Sequence, residues 1–183
     1  QVANTFDVVA VNINASGMTG TGHLVIGGGV FVTGSSVTGT ANGDTIAVSS
    51  TTGTSYTSGA GNDAFTGSVA DLVATGANDN SINGGDGTDS ITLDDTTTTL
   101  TDNHFTKVSN METLALSNTV GDLSIPTGAG FNSAFASGAT ITTGTMADEK
   151  DITFNGGLAT VDITLTVDGA NKEGKTSGEV DSI

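Results

Sequence analysis

Eight apolar residues recur along the middle of the chain at a nearly fixed interval: Val37, Ile46, Tyr56, Phe65, Val73, Ile82, Ile91 and Leu100. The steps between them are 9, 10, 9, 8, 9, 9 and 9. Two residues before each stands an oxygen-bearing side chain: Ser35, Asp44, Thr54, Asp63, Asp71, Asn80, Asp89 and Thr98. A unit of nine residues cannot enclose a core of its own, so each must bury its apolar side chain by stacking on its neighbours. A short strand followed by a turn, repeated, with two units per coil, describes an all-β fold: a right-handed parallel β-roll or β-solenoid.

The turns carry their own chemistry. Gly84-Gly85-Asp86-Gly87-Thr88-Asp89-Ser90-Ile91-Thr92 fits the nonapeptide GGxGxDxUx, with U a large apolar residue, at every specified position. That pattern describes the calcium-binding turn of a parallel β-helix. Glycines adopt positive φ and can turn their carbonyls toward an ion. Aspartate adds the hard anionic oxygen that calcium prefers, and six to eight such oxygens complete a site. Gly59-Ala60-Gly61-Asn62-Asp63 is a second, less complete turn. With about eighteen residues per coil, turns on one side would form two columns, one of Asp44, Asp63 and Asn80, the other of Thr54, Asp71 and Asp89. Calcium would sit between stacked turns, so that Asp89 completes a site with Asp71. Asn62, Asp79 and Asp86, and carbonyls near Gly59, Gly61, Gly85 and Gly87, would supply further oxygens. Thr54 lacks a carboxylate and marks an empty position. The competing explanation is that Asp, Asn and Gly merely build turns, as they do in any β-protein.

Charge sharpens the metal expectation. Twenty acidic residues, sixteen of them aspartate, face four lysines and no arginine, for a formal charge of −16 in 183 residues. Such a chain repels itself unless cations neutralise it. It lacks the cationic side chains that nucleic acid requires. No cysteine is present, which removes disulfides and thiolate metal sites. No apolar run is long enough to insert in a membrane as a helix. The chain does not begin with Met, and Gln1 and Ile183 read as cuts through a longer polypeptide.

Three regions are expected. Residues 1–34 contain β-strands around Phe6–Ile13, Leu24–Ile26 and Val30–Val32. Residues 35–125 form the roll, closing with one strand over Val108–Ser117. Residues 126–183 begin with a Gly-rich loop anchored by Phe131 and Phe135, in which a short helical turn is possible. They end in a β-hairpin that joins Ile152 and Phe154 to the alternating strand Val161–Val167, followed by the turn Asp168-Gly169 and an exposed loop over Asn171–Gly178. The three regions read as one elongated unit.

The array resembles the RTX repeats of secreted bacterial proteins, specifically at residues 58–66 and 75–92 and more loosely over 35–57. The wider chain resembles bacterial surface-layer (S-layer) proteins carrying such repeats. It is rich in Thr, Ser, Gly and Asn, free of Arg and Cys, and carries Val-Ser-Asn-Met-Glu-Thr-Leu-Ala-Leu after the array. The resemblance implies calcium-dependent folding outside the cell, secretion, and self-assembly into a lattice or filament at the bacterial surface. Departures at Ser58, Thr75 and Asn78 leave the number of sites open. A calcium-dependent adhesin segment binding cell-surface glycan is the alternative, and the secretion domain of an exoenzyme a third reading.

Catalysis is not expected. His104 near Asp102 lacks a nucleophile elbow, and the only other histidine is His23. Asp94-Asp95 could be a carboxylate pair, but sugar chemistry would need flanking aromatics, and tryptophan is absent. It reads instead as the close of the calcium array or a turn. Gly27-Gly28-Gly29 lacks the Lys-Ser/Thr of a phosphate loop. Asn14-Ala15-Ser16 is a lone glycosylation sequon. The run Thr96–Thr99, with the other exposed threonines, raises ice binding, but an ice-binding face needs regularly spaced, flat threonine ladders and four consecutive threonines are not one, so these threonines read as polar strand filler.

Overall fold

The computed structural model describes residues 12–28, 31–49, 53–72, 79–95, 99–117, 121–146, 150–156 and 159–167. The predicted strand residues Phe6, Val8, Val11 and Val30 lie outside them, as do Val73, Thr96–Thr98, Asp168-Gly169 and Asn171–Gly178. Among the described residues, fourteen short strands run in parallel and stack into a β-solenoid with one short helix.

Each early coil contributes one strand to each of two sheets. The first sheet stacks β1 (Asn12–Asn14), β3 (Ser36–Thr38), β5 (Ser55–Thr57), β7 (Ser81–Asn83) and β9 (Val108–Ser109). The second stacks β2 (Val25–Ile26), β4 (Thr45–Ala47), β6 (Ala64–Gly67), β8 (Ser90–Leu93), β10 (Thr113–Leu116), β12 (Ala139–Thr143) and β14 (Ile163–Thr166). A third, two-stranded sheet pairs β11 (Leu123–Pro126) with β13 (Ile152–Asn155). The stacking crosses residues 34 and 125 without a break, since β1 pairs β3 and β10 pairs β12.

The repeat works as a core register. Ile46, Phe65, Ile91, Leu114 and Ile141 are register partners across the second sheet, all at most 1% exposed. Val37, Tyr56 and Ile82 do the same in the first sheet. Period-two alternation puts these side chains inward and their neighbours outward. A buried aromatic cluster of Phe105, Phe131 and Phe135 fills the later coils. It is carried partly by α1 (Ala129–Ala134), in the segment where a helical turn was considered.

The expectations differ from the structure in three places. The coil is not of constant length. Thr45 stacks on Ala64, close to the expected spacing, but the next coil, from Ala64 to its partner Ser90, is markedly longer. The extra residues lie between β6 and β7, where Val69–Leu72 form a 3-10 turn and bury Leu72. Val108–Ser117 is two strands in different sheets, because Asn110 at φ 53 turns the chain between β9 and β10. The C-terminal hairpin does not form. β13 pairs in parallel with β11, and β14 with β12, since each strand finds a buried partner one coil earlier.

Phe65 lies at the centre of the longer column and is fully buried. Phe65→Ala is expected to cost about 3–5 kcal/mol through lost burial and the cavity left behind. Thr66→Ala, one residue away on the outer face, should cost under about 0.5 kcal/mol. Urea unfolding followed by circular dichroism checks the pair.

Candidate metal centre

The main-chain N–H just before β2, β4, β6 and β8 is served not by the sheet but by a carboxylate of the next coil. Leu24 N–H donates to Asp44 Oδ1 at 2.6 Å, and Asp44 N–H to Asp63 Oδ1 at 2.6 Å. Asp63 N–H donates to Asp89 Oδ1 at 2.8 Å, and Asp89 N–H to Glu112 Oε2 at 2.7 Å. Asp44, Asp63 and Asp89 are each at most 1% exposed. The column is therefore Asp44, Asp63, Asp89 and Glu112, a line of buried or half-buried acids along one edge of the stack.

This corrects both expected columns, and the longer coil between Asp63 and Asp89 is the reason. Asp89 stacks on Asp63 rather than on Asp71. Asn80 leaves the aspartate column for Thr54, whose N–H donates to Asn80 Oδ1 at 3.0 Å, while its amide donates to Ser49 O and Asp71 O. Asp71 turns inside its own 3-10 segment and accepts from Ser68 N–H and Oγ at 2.7 and 2.8 Å. Asp79 pairs with Lys107 Nζ at 3.5 Å.

The glycine turns stack beside the column. Gly59, Gly61, Gly85 and Gly87 all have positive φ. Asp86 N–H donates to Gly59 O, and Gly61 N–H to Asp86 O, both at 2.9 Å. A Cβ on Gly85 would lie 1.9 Å from Gly59 O, and one on Gly87 1.9 Å from Gly61 O, so neighbouring turns touch through bare backbone. Asn62 Oδ1 accepts Thr88 N–H at 3.0 Å, and the side chains of Asn62 and Asp86 stand exposed.

Within the column the second carboxylate oxygens differ. Asp44 Oδ2 accepts Thr40 N–H at 2.7 Å. Asp63 Oδ2 and Asp89 Oδ2 are buried with no hydrogen-bond partner. A Cβ placed on Gly84 would meet Asn110 O at 2.1 Å and Asp89 Oδ2 at 2.6 Å, so two oxygens border the space above that glycine. Two acceptors facing each other in a buried site repel unless a proton or a cation stands between them.

Protonation behaviour follows. Burial pushes the Asp89 carboxyl up to about 6; the bond from Asp63 N–H opposes this, and the charges of Asp63, Glu112 and Asp86 add to it. Asp63 is raised as well, chiefly by burial and partly by Asp44, against the pull of Ser58 and Asp44 N–H. Among the described residues no three acidic or histidine side chains converge on one point. A cation here would need main-chain carbonyls beside the carboxylates. That all-oxygen donor set suits calcium.

The other constellations have structural tasks. Asp102 accepts the N–H groups of Gly130 and Phe131 at 2.9 Å and so holds the start of α1. His104 Nδ1 accepts Thr101 N–H at 3.2 Å. Asp95 accepts Val69 N–H at 3.2 Å. Glu112 was missed as a column member, although Glu112-Thr113-Leu114 repeats the acid-x-apolar element with glutamate in place of aspartate. Asp122, which accepts Asp151 N–H at 3.2 Å beside the third sheet, was missed as well. No protein-family model, curated protein or solved structure matches the chain.

Asp89→Asn tests the electrostatics. Asparagine keeps an oxygen for Asp63 N–H and can turn an amide donor toward Asn110 O. The folded carboxyl titrates near 6 against 3.8 unfolded, so the ionised group opposes folding, with no penalty below about pH 4 and the full penalty above about pH 6. In chelator at pH 7 the variant should be more stable than the wild type by about 2–3 kcal/mol, a difference that vanishes near pH 4. Thermal melts across that range check it, and a variant less stable at pH 7 would refute it.

Proposed function

We propose that the chain is a structural segment of an extracellular bacterial protein of the RTX-repeat, surface-layer type. In this reading it assembles into a layer or filament, with calcium stabilising the stacked turns. The observation that carries the reading is the pair of buried, unpartnered oxygens on Asp63 and Asp89 beside stacked glycine turns. Calcium, when bound, supplies the positive charge that lets these carboxylates stay ionised in a closed turn. Asp63 and Asp89 would hold it, together with turn carbonyls such as that of Asn110. The turn glycines keep the backbone close enough for carbonyls of successive coils to share an ion. Because an unfolded chain offers no such site, binding energy becomes folding energy.

Assembly draws support from the ends of the stack. β2 and β14 are the outermost strands of the described second sheet, and outermost strands present unpaired main-chain groups. Val167, just beyond β14, is 45% exposed and adds apolar surface near that end of the described stack. A calcium-dependent adhesin segment, with cell-surface glycan as its partner, is the alternative; the same turns would serve it.

Electron microscopy and sedimentation of the purified chain, with and without millimolar calcium, separate the readings. Ordered sheets or fibres on calcium addition, suppressed in Asp63→Asn/Asp89→Asn, are the expected outcome. A protein that stays monomeric in calcium while binding cells or sugars would sink the structural role in favour of the adhesin.

A further inference from the structure

The outward positions of the second sheet form a second ordered array, independent of the acidic column. On each strand from β4 to β14 the residues flanking the buried column point outward, giving two rows six strands long. Those twelve positions hold eight threonines, three alanines and one serine. Thr140 and Thr142 stand beside Thr164 and Thr166 on the last two strands, and Thr66 beside Thr92 near the middle. None of the twelve is buried and none is charged, in a chain with twenty acids and four lysines.

Coil length does not explain this. The coil from Thr45 to Ala64 is shorter than those from Ala64 to Ser90 and from Thr113 to Thr140, yet the outward residues stay small and neutral throughout. Cross-strand threonine pairs do stabilise sheets, but such stabilisation does not require every charge to be kept off the face. The first sheet is a natural comparison: its outward positions, from Asn12 on β1 to Ser109 on β9, are uncharged as well, so the two faces differ in hydrogen bonding rather than in charge. Its outward side chains bond to one another, Ser36 Oγ to Asn12 Oδ1 at 2.8 Å and Ser81 Oγ to Ser55 Oγ at 3.1 Å. On the second sheet Ser90 Oγ reaches Asp63 O at 3.3 Å, while the threonine hydroxyls of the two rows have no protein partner among the described residues.

In-register parallel pairing fixes the mesh of the array. Rows repeat at about 4.8 Å from strand to strand and about 6.6 Å between alternate residues of one strand. The strand-to-strand repeat approximates the shorter repeat of the oxygen lattice on a prism face of hexagonal ice, and the along-strand repeat falls somewhat short of the longer one. Each threonine offers a hydroxyl to a lattice water and a methyl that orders water around it. A neutral partner with a two-dimensional repeat also matches a face from which charge is excluded.

We propose that the outer face of the seven-stranded sheet binds ice. The threonine rows form the contact, and the solenoid core holds them in register. The tetrathreonine run is not the ladder; the ladder is assembled from threonines that lie a full coil apart in sequence, as Thr66 and Thr92 or Thr142 and Thr166 do.

The test uses the full chain in millimolar calcium, labelled with a fluorophore, and reads its partition into slowly growing ice together with thermal hysteresis. The wild type should enter ice and give measurable hysteresis. Thr92→Lys, in the middle of the face, should reduce hysteresis at least tenfold, and Thr166→Lys on the outermost strand should weaken it with the least demand on folding. Ser55→Lys, on the other sheet, should leave it unchanged. Circular dichroism verifies that each variant is folded. A wild type rejected by ice, equal losses from Thr166→Lys and Ser55→Lys, or capture by crystalline chitin but not by ice would each overturn the proposal.

Discussion

A buried carboxylate accepting a main-chain N–H from the preceding coil is the contact on which this solenoid depends. Parallel sheet pairing leaves the N–H before β2, β4, β6 and β8 unserved, and an unpaired buried N–H is costly. Asp44, Asp63, Asp89 and Glu112 answer that need with bonds of 2.6–2.8 Å. Charge-assisted bonds of this kind are stronger than neutral ones. They also fix which coil lies on which. The cost is electrostatic: each bond uses one oxygen, and for Asp63 and Asp89 the other is left buried and unpaired. Like charges then accumulate along one edge of a chain already at −16. A cation between turns is the least disruptive remedy, because it removes the repulsion and leaves the bonds intact.

That contact tolerates variable coil length. Between Asp63 and Asp89 the chain makes a 3-10 turn that the coil between Asp44 and Asp63 lacks, yet the same acid-to-N–H bond closes both. Insertions are accommodated away from the two main sheets. In later coils they acquire order of their own, as the third sheet of β11 and β13 and as α1 packed through Phe131 and Phe135. The core register and the outward rows therefore persist while the loops diverge.

Much of this was legible in the sequence, for a physical reason. Stacking demands an apolar residue at each inward strand position and an oxygen two residues earlier, so Ile46, Phe65 and Ile91 with Asp44, Asp63 and Asp89 could be read directly. The partnership of coils could not. A constant period placed Asp71 under Asp89, because nothing local distinguishes Val69–Leu72 as a 3-10 insertion from a degenerate repeat; Asp71 and Val73 occupy the expected places by type. Val108–Ser117 alternates like one strand, and only Asn110 in a left-handed conformation divides it. The hairpin expected from Ile152 and Phe154 failed because local alternation reports a strand but not its partner. The threonine face was hidden for the same reason, since its neighbours in space are one coil apart in sequence.

The acidic column and the threonine face occupy different parts of one scaffold, so one can fail without the other. That a cation bridges the buried carboxylates of successive turns is the more basic claim. Its most direct measurement is an anomalous difference map from crystals grown in calcium at neutral pH. Bridging predicts a peak about 2.3–2.6 Å from Asp89 Oδ2 or Asp63 Oδ2, shared with a turn carbonyl. Ordered turns with no peak beside either oxygen would contradict it.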